Sequence, residues 1–209
     1  MKSPICDISV LLSLLVIICM LRRILEIFPS LLASLIRWKE SVNLFNSVKL
    51  SRSINMTALS MVVPFCLAAS ASRMYCPSFM ESMGDDARFG ITLGVFTLFI
   101  MLRMILERSC APKRRNHQMY RCACRSSYIF FTLLTILLLV LWGILSVMNV
   151  DANTSRDAML WLSGVIYLIF ILRKTQIFTS SCSLFTAFLY LCALEILPVG
   201  ALVASAVIL

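Results

Sequence analysis

One carboxylate interrupts the most apolar carboxyl-terminal part of this chain. Glu195 lies in the segment LCALEILP (191–198), about midway along an apolar stretch over 182–207. A charged side chain is costly inside a bilayer, so Glu195 should face the protein interior, where it is paired or protonated. Pro198 has no amide hydrogen for the carbonyl four residues before it, and helices at such breaks often line polar cavities.

Two roles for Glu195 follow from this position. Glu195 is either an acid that couples the movement of protons or ions, or a protonated packing residue that is hydrogen-bonded to a neighbouring helix. In the packing case, Glu195→Gln should have a mild effect, because the amide keeps the hydrogen bonds. Pro198 belongs to the candidate site in both cases.

Arg103 is the other charged residue that reaches into an apolar stretch. It lies one helical turn from Glu107, near the end of the stretch over 89–107. Its long side chain is able to extend to the inner membrane surface. Its depth also allows a direct pair with Glu195, and the sequence leaves both arrangements open.

Nine cysteines and one histidine raise the question of a metal site. The segment around His117 holds three of the cysteines, Cys110, Cys122 and Cys124. Their spacing lacks the recurring Cys-x-x-Cys pair that is typical of zinc sites. Cys6 and Cys76 are both expected outside the cell membrane, where they form a disulfide or remain free thiols. We therefore predict no metal site and no cofactor.

The sequence also lacks the combinations of residues that are typical of catalytic sites. The single histidine lies in a polar segment, so no intramembrane Ser/His pair is available. The His-Glu-x-x-His motif, a second buried carboxylate for an aspartyl dyad and the Gly-x-x-x-x-Gly-Lys phosphate loop are all missing. We predict no catalytic residue, and a protein that is not an enzyme.

Six apolar stretches must position these residues. Hydrophobic residues make up 60% of the chain and charged residues only 14%, unlike the composition of a soluble domain. A transmembrane helix needs about 20 apolar residues, and a barrel strand would alternate instead. The predicted fold is an all-α, polytopic membrane protein, a single domain over 1–209 with about six spans, at 5–21, 57–73, 89–107, 127–149, 158–172 and 182–207.

The charges between the predicted spans alternate in sign. Segments 22–56 and 108–126 are basic, and the turn after the fifth span holds Arg173 and Lys174, whereas segments 74–88 and 150–157 are acidic. Basic loops stay on the cytoplasmic side, so both termini are predicted outside the cytoplasm. The net charge of +9 then reflects orientation and anionic lipids bound at the basic inner loops, and not nucleic-acid binding.

Residues 24–38 are predicted to form an amphipathic interfacial helix after the first span. Their apolar residues recur at helical spacing, polar residues form the opposite stripe, and Trp38 ends the segment as an aromatic belt residue would. The helix either lies on the inner leaflet beneath the bundle or docks a partner.

An internal repeat is suggested by two segments that lie 70 positions apart. Five of ten positions agree between GVFTLFIMLR (94–103) and GVIYLIFILR (164–173). The same offset lays the second span on the fourth, so the repeated unit would be a helical hairpin. The alternative is chance agreement between apolar segments that end with a cation at the inner headgroups.

Two segments carry a resemblance to a known family, LRRILEIFPS (21–30) and FLYLCALEILP (188–198). With the six-span layout, the chain resembles a family of uncharacterised bacterial integral membrane proteins, described only as a domain of unknown function and found mostly in the Bacteroidota. The resemblance covers nearly the whole chain and implies the cell inner membrane of a diderm bacterium. It supplies no activity, so no catalytic or ligand residue is carried over.

The sequence leaves two functions open. The first is a non-enzymatic membrane scaffold or assembly component with other membrane proteins as partners, because the loops are short and no catalytic combination is present. The second is a small secondary transporter or proton-coupled permease that uses Glu195. A transporter requires a water-accessible cavity that reaches this carboxylate, and a sealed Glu195 would favour the scaffold.

Overall fold

A computed structural model describes residues 11, 13–19, 22–26, 29, 48–80, 82–109, 117–179 and 184–208. Within these ranges the chain is almost entirely helical and contains no β-strand. Of the first span predicted over 5–21, residues 11 and 13–19 are described, and they are helical. Of the interfacial helix predicted over 24–38, residues 24–26 and 29 are described and helical, and the others lie outside the described residues.

Seven helices follow from residue 48 onward. They are α1 (Val48–Ser60), α2 (Val62–Ala71), α3 (Asp85–Ser109), α4 (His117–Val147), α5 (Ala152–Thr179), α6 (Leu184–Leu191) and α7 (Leu197–Ile208). A short 3₁₀ turn over Ser78–Met80 precedes α3, and a π-helical turn over Cys192–Ile196 joins α6 to α7. Pro64 lies in the first turn of α2, where its missing N–H is tolerated, and the helical path is interrupted just before it at Met61.

Five helical segments in the described part of the chain are long and apolar enough to cross a membrane. They are Ser53–Ala71, Asp85–Ser109, Ser126–Val147, Ala152–Thr179 and Ala187–Ala206. The protein is therefore an all-α, polytopic membrane protein, as the apolar stretches predict. Large apolar side chains are exposed along these helices, as lipid contact requires.

Two predictions of connecting segments are wrong. The turn predicted after the fifth span, which holds Arg173 and Lys174, lies within α5, because this helix continues to Thr179. Much of the predicted inner loop over 108–126 is helical, because α4 begins at His117. In α5 the physical reason is that a cation with a buried partner, here Lys174 with Glu195, can stay inside a membrane helix.

Helix α4 lies at the centre of the described bundle and packs against α1, α2 and α5. Aromatic rings fill the interface between α2, α3 and α4: the Phe65 ring centroid lies 4.8 Å from that of Phe96 and 5.3 Å from that of Phe131. Helix α3 lies at the periphery, against α2, α7 and the π turn. This arrangement brings the ends of α3, α4, α5 and α6 together at one end of the bundle.

The opposite end is closed by the segment between α2 and α3. Arg88 is only 5% exposed and donates hydrogen bonds to the carbonyls of Met80 and Met83, at 3.3 Å and 3.4 Å. The Tyr75 hydroxyl lies 3.2 Å from the Ser205 hydroxyl, which ties this segment to α7. Arg88, in the first turn of α3, thus holds the backbone of the preceding segment in place.

The structure does not test the suggested repeat. The hairpins α2–α3 and α4–α5 are each closely packed. Their helices differ in length, since α2 has 10 residues and α4 has 31. A duplicated hairpin therefore stays a prediction.

Candidate functional site

Four elements converge on one group of buried charges. Arg103 lies about two turns before the end of α3, and Lys174 lies about one and a half turns before the end of α5. Ser127 lies about three turns into α4, and Glu195 lies in the π turn. These side chains meet inside the bundle, on the side where α3 and α5 end and where α4 and α6 begin.

The π turn follows from the position of Pro198. Proline has no N–H, and its ring would clash with the carbonyl of Leu194 in a regular α-helix. The chain widens instead, and the amide of Leu197 bonds to the carbonyl of Cys192, five residues back. A π turn inserts one residue into the helical path and is often found at functional sites. Here the inserted turn contains Glu195.

We call Arg103, Glu107, Ser127, Lys174 and Glu195 the charged cluster. Oε1 of Glu195 accepts hydrogen bonds from Nη2 of Arg103 and from Nζ of Lys174. The Arg103 guanidinium also donates to the Ser127 hydroxyl and, through Nε, to Oε1 of Glu107 at 3.3 Å. Nζ of Lys174 lies 3.5 Å from the same Ser127 hydroxyl. Ser127 thus links the two cations across α4.

Exposure falls steeply across the charged cluster. The side chains of Lys174 and Glu195 are 0% and 2% exposed, whereas those of Arg103 and Glu107 are 19% and 18% exposed. Nζ of Lys174 also lies 5.4 Å from the ring centroid of Phe170, a favourable cation–π distance. The Lys174–Glu195 pair is therefore the dry centre of the cluster, and Glu107 is its edge.

Three aromatic rings lie between the charged cluster and the nearby helix ends. Tyr120 lies closer to the start of α4 than Ser127 does, and Phe178 lies closer to the end of α5 than Lys174 does. Tyr190 lies on α6, before the π turn that contains Glu195. Their ring centroids are 5.8–6.3 Å apart, and the Tyr120 hydroxyl donates to the carbonyl of Glu107 at 2.8 Å. We call these three rings the aromatic layer, which ties α4 to α5, α6 and the end of α3 at that end of the bundle.

The charged cluster is electrically balanced when every member is ionised. Arg103 and Lys174 supply two positive charges, and Glu107 and Glu195 supply two negative charges. Burying such charges is expensive, but removing one partner costs more, because an uncompensated charge is then left in a dry environment. The arrangement can thus hold α3, α4, α5 and the π turn in one relative rotation.

The structure places the sequence-predicted site residues together and adds members that were missed. Arg103 pairs with Glu195, one of the two arrangements left open, and Pro198 shapes the turn that carries Glu195. Lys174 was assigned to a loop and is instead fully buried. The spacing of Lys174 could have indicated this burial. Lys174 lies one turn after buried Phe170 and three residues before buried Ile177, so the three residues share one face of α5.

No group of three or more His, Cys, Asp or Glu side chains in the described residues could hold a metal ion. Of the cysteines considered for such a site, Cys124 is described, on α4 and not in a loop. Burial raises the pKa of the Cys124 thiol to about 11, so this thiol stays protonated and packs as a small apolar group. Cys6 and Cys110 lie outside the described residues, so the disulfide between Cys6 and Cys76 stays untested.

The helical bundle and its interior ion pairs define an integral membrane protein with a buried polar centre. The chain belongs to the family described as "Domain of unknown function (DUF4271)", whose model matches residues 8–205. This match confirms the resemblance to a family of unknown function, and it covers both the charged cluster and the π turn. No curated protein and no solved structure matches the chain.

Proposed function

We propose that the protein is a non-enzymatic scaffold or assembly component of a membrane, whose helix arrangement is fixed by the charged cluster. The proposal rests on the buried ion pair between Lys174 and Glu195. Both side chains are almost completely buried, and they form a direct ion pair. Removing either partner would leave a buried charge uncompensated, so the pair can hold its helices in one arrangement and thereby define the outer surface that partners would contact.

The charge balance also argues against a coupling acid. An acid that drives transport must gain and lose a proton during each cycle. Proton uptake by Glu195 would leave Arg103 and Lys174 facing only the Glu107 carboxylate, with one net positive charge in a dry site. The two ion pairs of Glu195 therefore support the structural role.

One observation favours the second candidate, a proton-coupled permease. The π turn before Pro198 breaks the last helix at Glu195, and transporters often carry their ion sites on broken helices. Reconstituted protein would distinguish the two. A permease should acidify or alkalinise the vesicle lumen under a substrate gradient and lose this flux in Glu195→Gln, while a scaffold should show no flux in either form.

The scaffold role predicts a stable partner. After solubilisation in native nanodiscs, the tagged wild-type protein should be recovered with a second membrane protein at a fixed ratio. Glu195→Gln should reduce that ratio, because the cluster would no longer fix the helices. Asp151→Asn, at an exposed carboxylate between α4 and α5 and outside the charged cluster, serves as the matched control and should keep it. Recovery of the wild type alone in every preparation would contradict the scaffold.

The location proposed for the protein is the inner membrane of a bacterium, with both termini outside the cytoplasm. The supporting feature is the alternation between basic segments (22–56, 108–126) and acidic segments (74–88, 150–157). Anionic lipids are proposed to bind at the basic inner loops.

This orientation predicts the activity of alkaline phosphatase fusions. A fusion after Gly84, just before α3, should be active because the enzyme is exported, and a fusion at residue 112, between α3 and α4, should be inactive. Green fluorescent protein at the same two positions should give the reverse pattern. Equal activity at both positions would overturn the proposed topology.

A further inference from the structure

A shallow groove runs along the outward face of α5, and none of its lining residues belongs to the charged cluster. It has a volume of about 430 Å³ and is lined by Asp157, Leu160, Trp161, Gly164, Val165 and Leu168. These residues follow helical spacing, so the groove lies along a single face of one membrane helix. Trp161 and Leu168 are 76% and 62% exposed, so no other described part of the chain covers this face.

The groove exists because position 164 lacks a side chain. A Cβ atom built on Gly164 would have no other group within 4 Å. The large side chain of Trp161 flanks the gap one turn earlier, and Leu168 flanks it one turn later. The groove is therefore open and apolar, and an extended hydrocarbon chain can occupy it.

The length and depth of the groove match one leaflet of a bilayer. From Asp157 to Leu168 the helix rises about 16 Å at 1.5 Å per residue, close to half of a hydrocarbon core of about 30 Å. Asp157 is the last charged residue before the apolar run over 158–172, so it lies at headgroup level. Trp161, one turn deeper, lies where aromatic side chains border the hydrocarbon.

The charge at the mouth of the groove selects a headgroup. The carboxylate of Asp157 is exposed and lines the groove, so it attracts a cationic group at that level. The lining residues include no cation that would offset this carboxylate. The groove therefore favours a headgroup that carries an ammonium, and it disfavours an anionic headgroup without an amine.

The geometry points to a binding site for one phospholipid with an ammonium-bearing headgroup, its acyl chain in the α5 groove and its ammonium at Asp157. This site is independent of the scaffold role, because it shares no residue with the charged cluster. The lipid would be a bound component of the protein surface in the leaflet at the amino-terminal end of α5.

Fluorescence quenching tests the site in the full-length protein. In a Trp38→Phe/Trp142→Phe background, Trp161 is the remaining tryptophan. The protein is reconstituted into vesicles that contain a small mole fraction of phosphatidylethanolamine with brominated chains, or of phosphatidylglycerol with the same chains. Trp161 should be half-quenched at a several-fold lower mole fraction of the brominated phosphatidylethanolamine.

Two substitutions separate the headgroup from the chain. Asp157→Asn should make the two brominated lipids equally effective. Gly164→Leu should fill the groove and weaken quenching by both, and Gly164→Ala, a smaller change, should give an intermediate effect. Gly94→Leu is the matched control, because Gly94 is also exposed on its helix and has open space around it, and it should leave quenching unchanged.

Three results would overturn the inference. Equal quenching by both lipids in the parent protein would show that Asp157 selects no headgroup. Unchanged quenching in a folded Gly164→Ala protein would show that the groove does not hold the chain. Protection of Trp161 from both lipids, with crosslinking between two copies through this face, would show that a second copy of the chain occupies it.

Discussion

Glu195→Gln is expected to lower the free energy of unfolding by about 3–5 kcal/mol, the usual cost of leaving a buried charge without its partner. The sequence alone suggested a mild effect, because an amide preserves hydrogen bonds. The structure reverses this expectation, because Glu195 accepts from two cations, Arg103 and Lys174. An amide oxygen would still accept hydrogen bonds, but it would not balance the charge of a lysine that is 0% exposed.

Thermal unfolding in detergent, followed by size exclusion and circular dichroism, measures this effect. The wild type, Glu195→Gln and Glu107→Gln should be compared at equal protein concentration. Glu107 is 18% exposed and interacts with Arg103 alone among the cations by direct contact, so its replacement should cost much less. A Glu195→Gln protein as stable as the wild type would show that the charged cluster does not hold the bundle.

Removing both charges of the central pair should restore much of the lost stability. In Lys174→Met/Glu195→Gln, the methionine keeps the apolar stem against Phe170, and the remaining ion pair is Arg103 with Glu107. No uncompensated charge is then left in the dry centre. The double variant should therefore be more stable than Glu195→Gln alone, with a coupling free energy of at least about 1 kcal/mol between the two positions.

The single variants should differ in a defined order. Lys174→Met leaves the Glu195 carboxylate with the Arg103 guanidinium, so it should be less destabilising than Glu195→Gln, which leaves Lys174 without a counter-charge. A complete double-mutant cycle measures both the order and the coupling. Additive effects of the two substitutions would contradict a direct interaction between Lys174 and Glu195.

Much of the candidate site could be anticipated from single residues. A carboxylate within an apolar stretch must find a partner, so Glu195 was expected in the interior, and a proline three residues later predicted a break in the helix. Arg103 lay near enough in depth to be one of the candidate partners. The structure adds that this break is a π turn. The turn forms because the chain stays helical on both sides of Pro198.

The burial of Lys174 was not predicted from the sequence. Arg173 and Lys174 are adjacent in sequence and alike in charge, yet Lys174 enters the charged cluster whereas Arg173 donates to Gln176 at 2.9 Å. Consecutive residues on a helix point about 100° apart, so the rotation of α5 decides which cation is buried. A hydropathy profile places Arg173 and Lys174 alike at the end of a span, because it contains no information about the rotation of α5.

The sequence by itself determined that this protein is a set of membrane helices and that Glu195 has to be buried with a partner. Both conclusions depend on local free energies, the transfer of apolar side chains and the cost of an unpaired charge in lipid. Only the tertiary structure decided that the partners are Arg103 and Lys174, with Ser127 between them. Those contacts join residues on separate helices, and packing between the helices sets their relative rotation and depth.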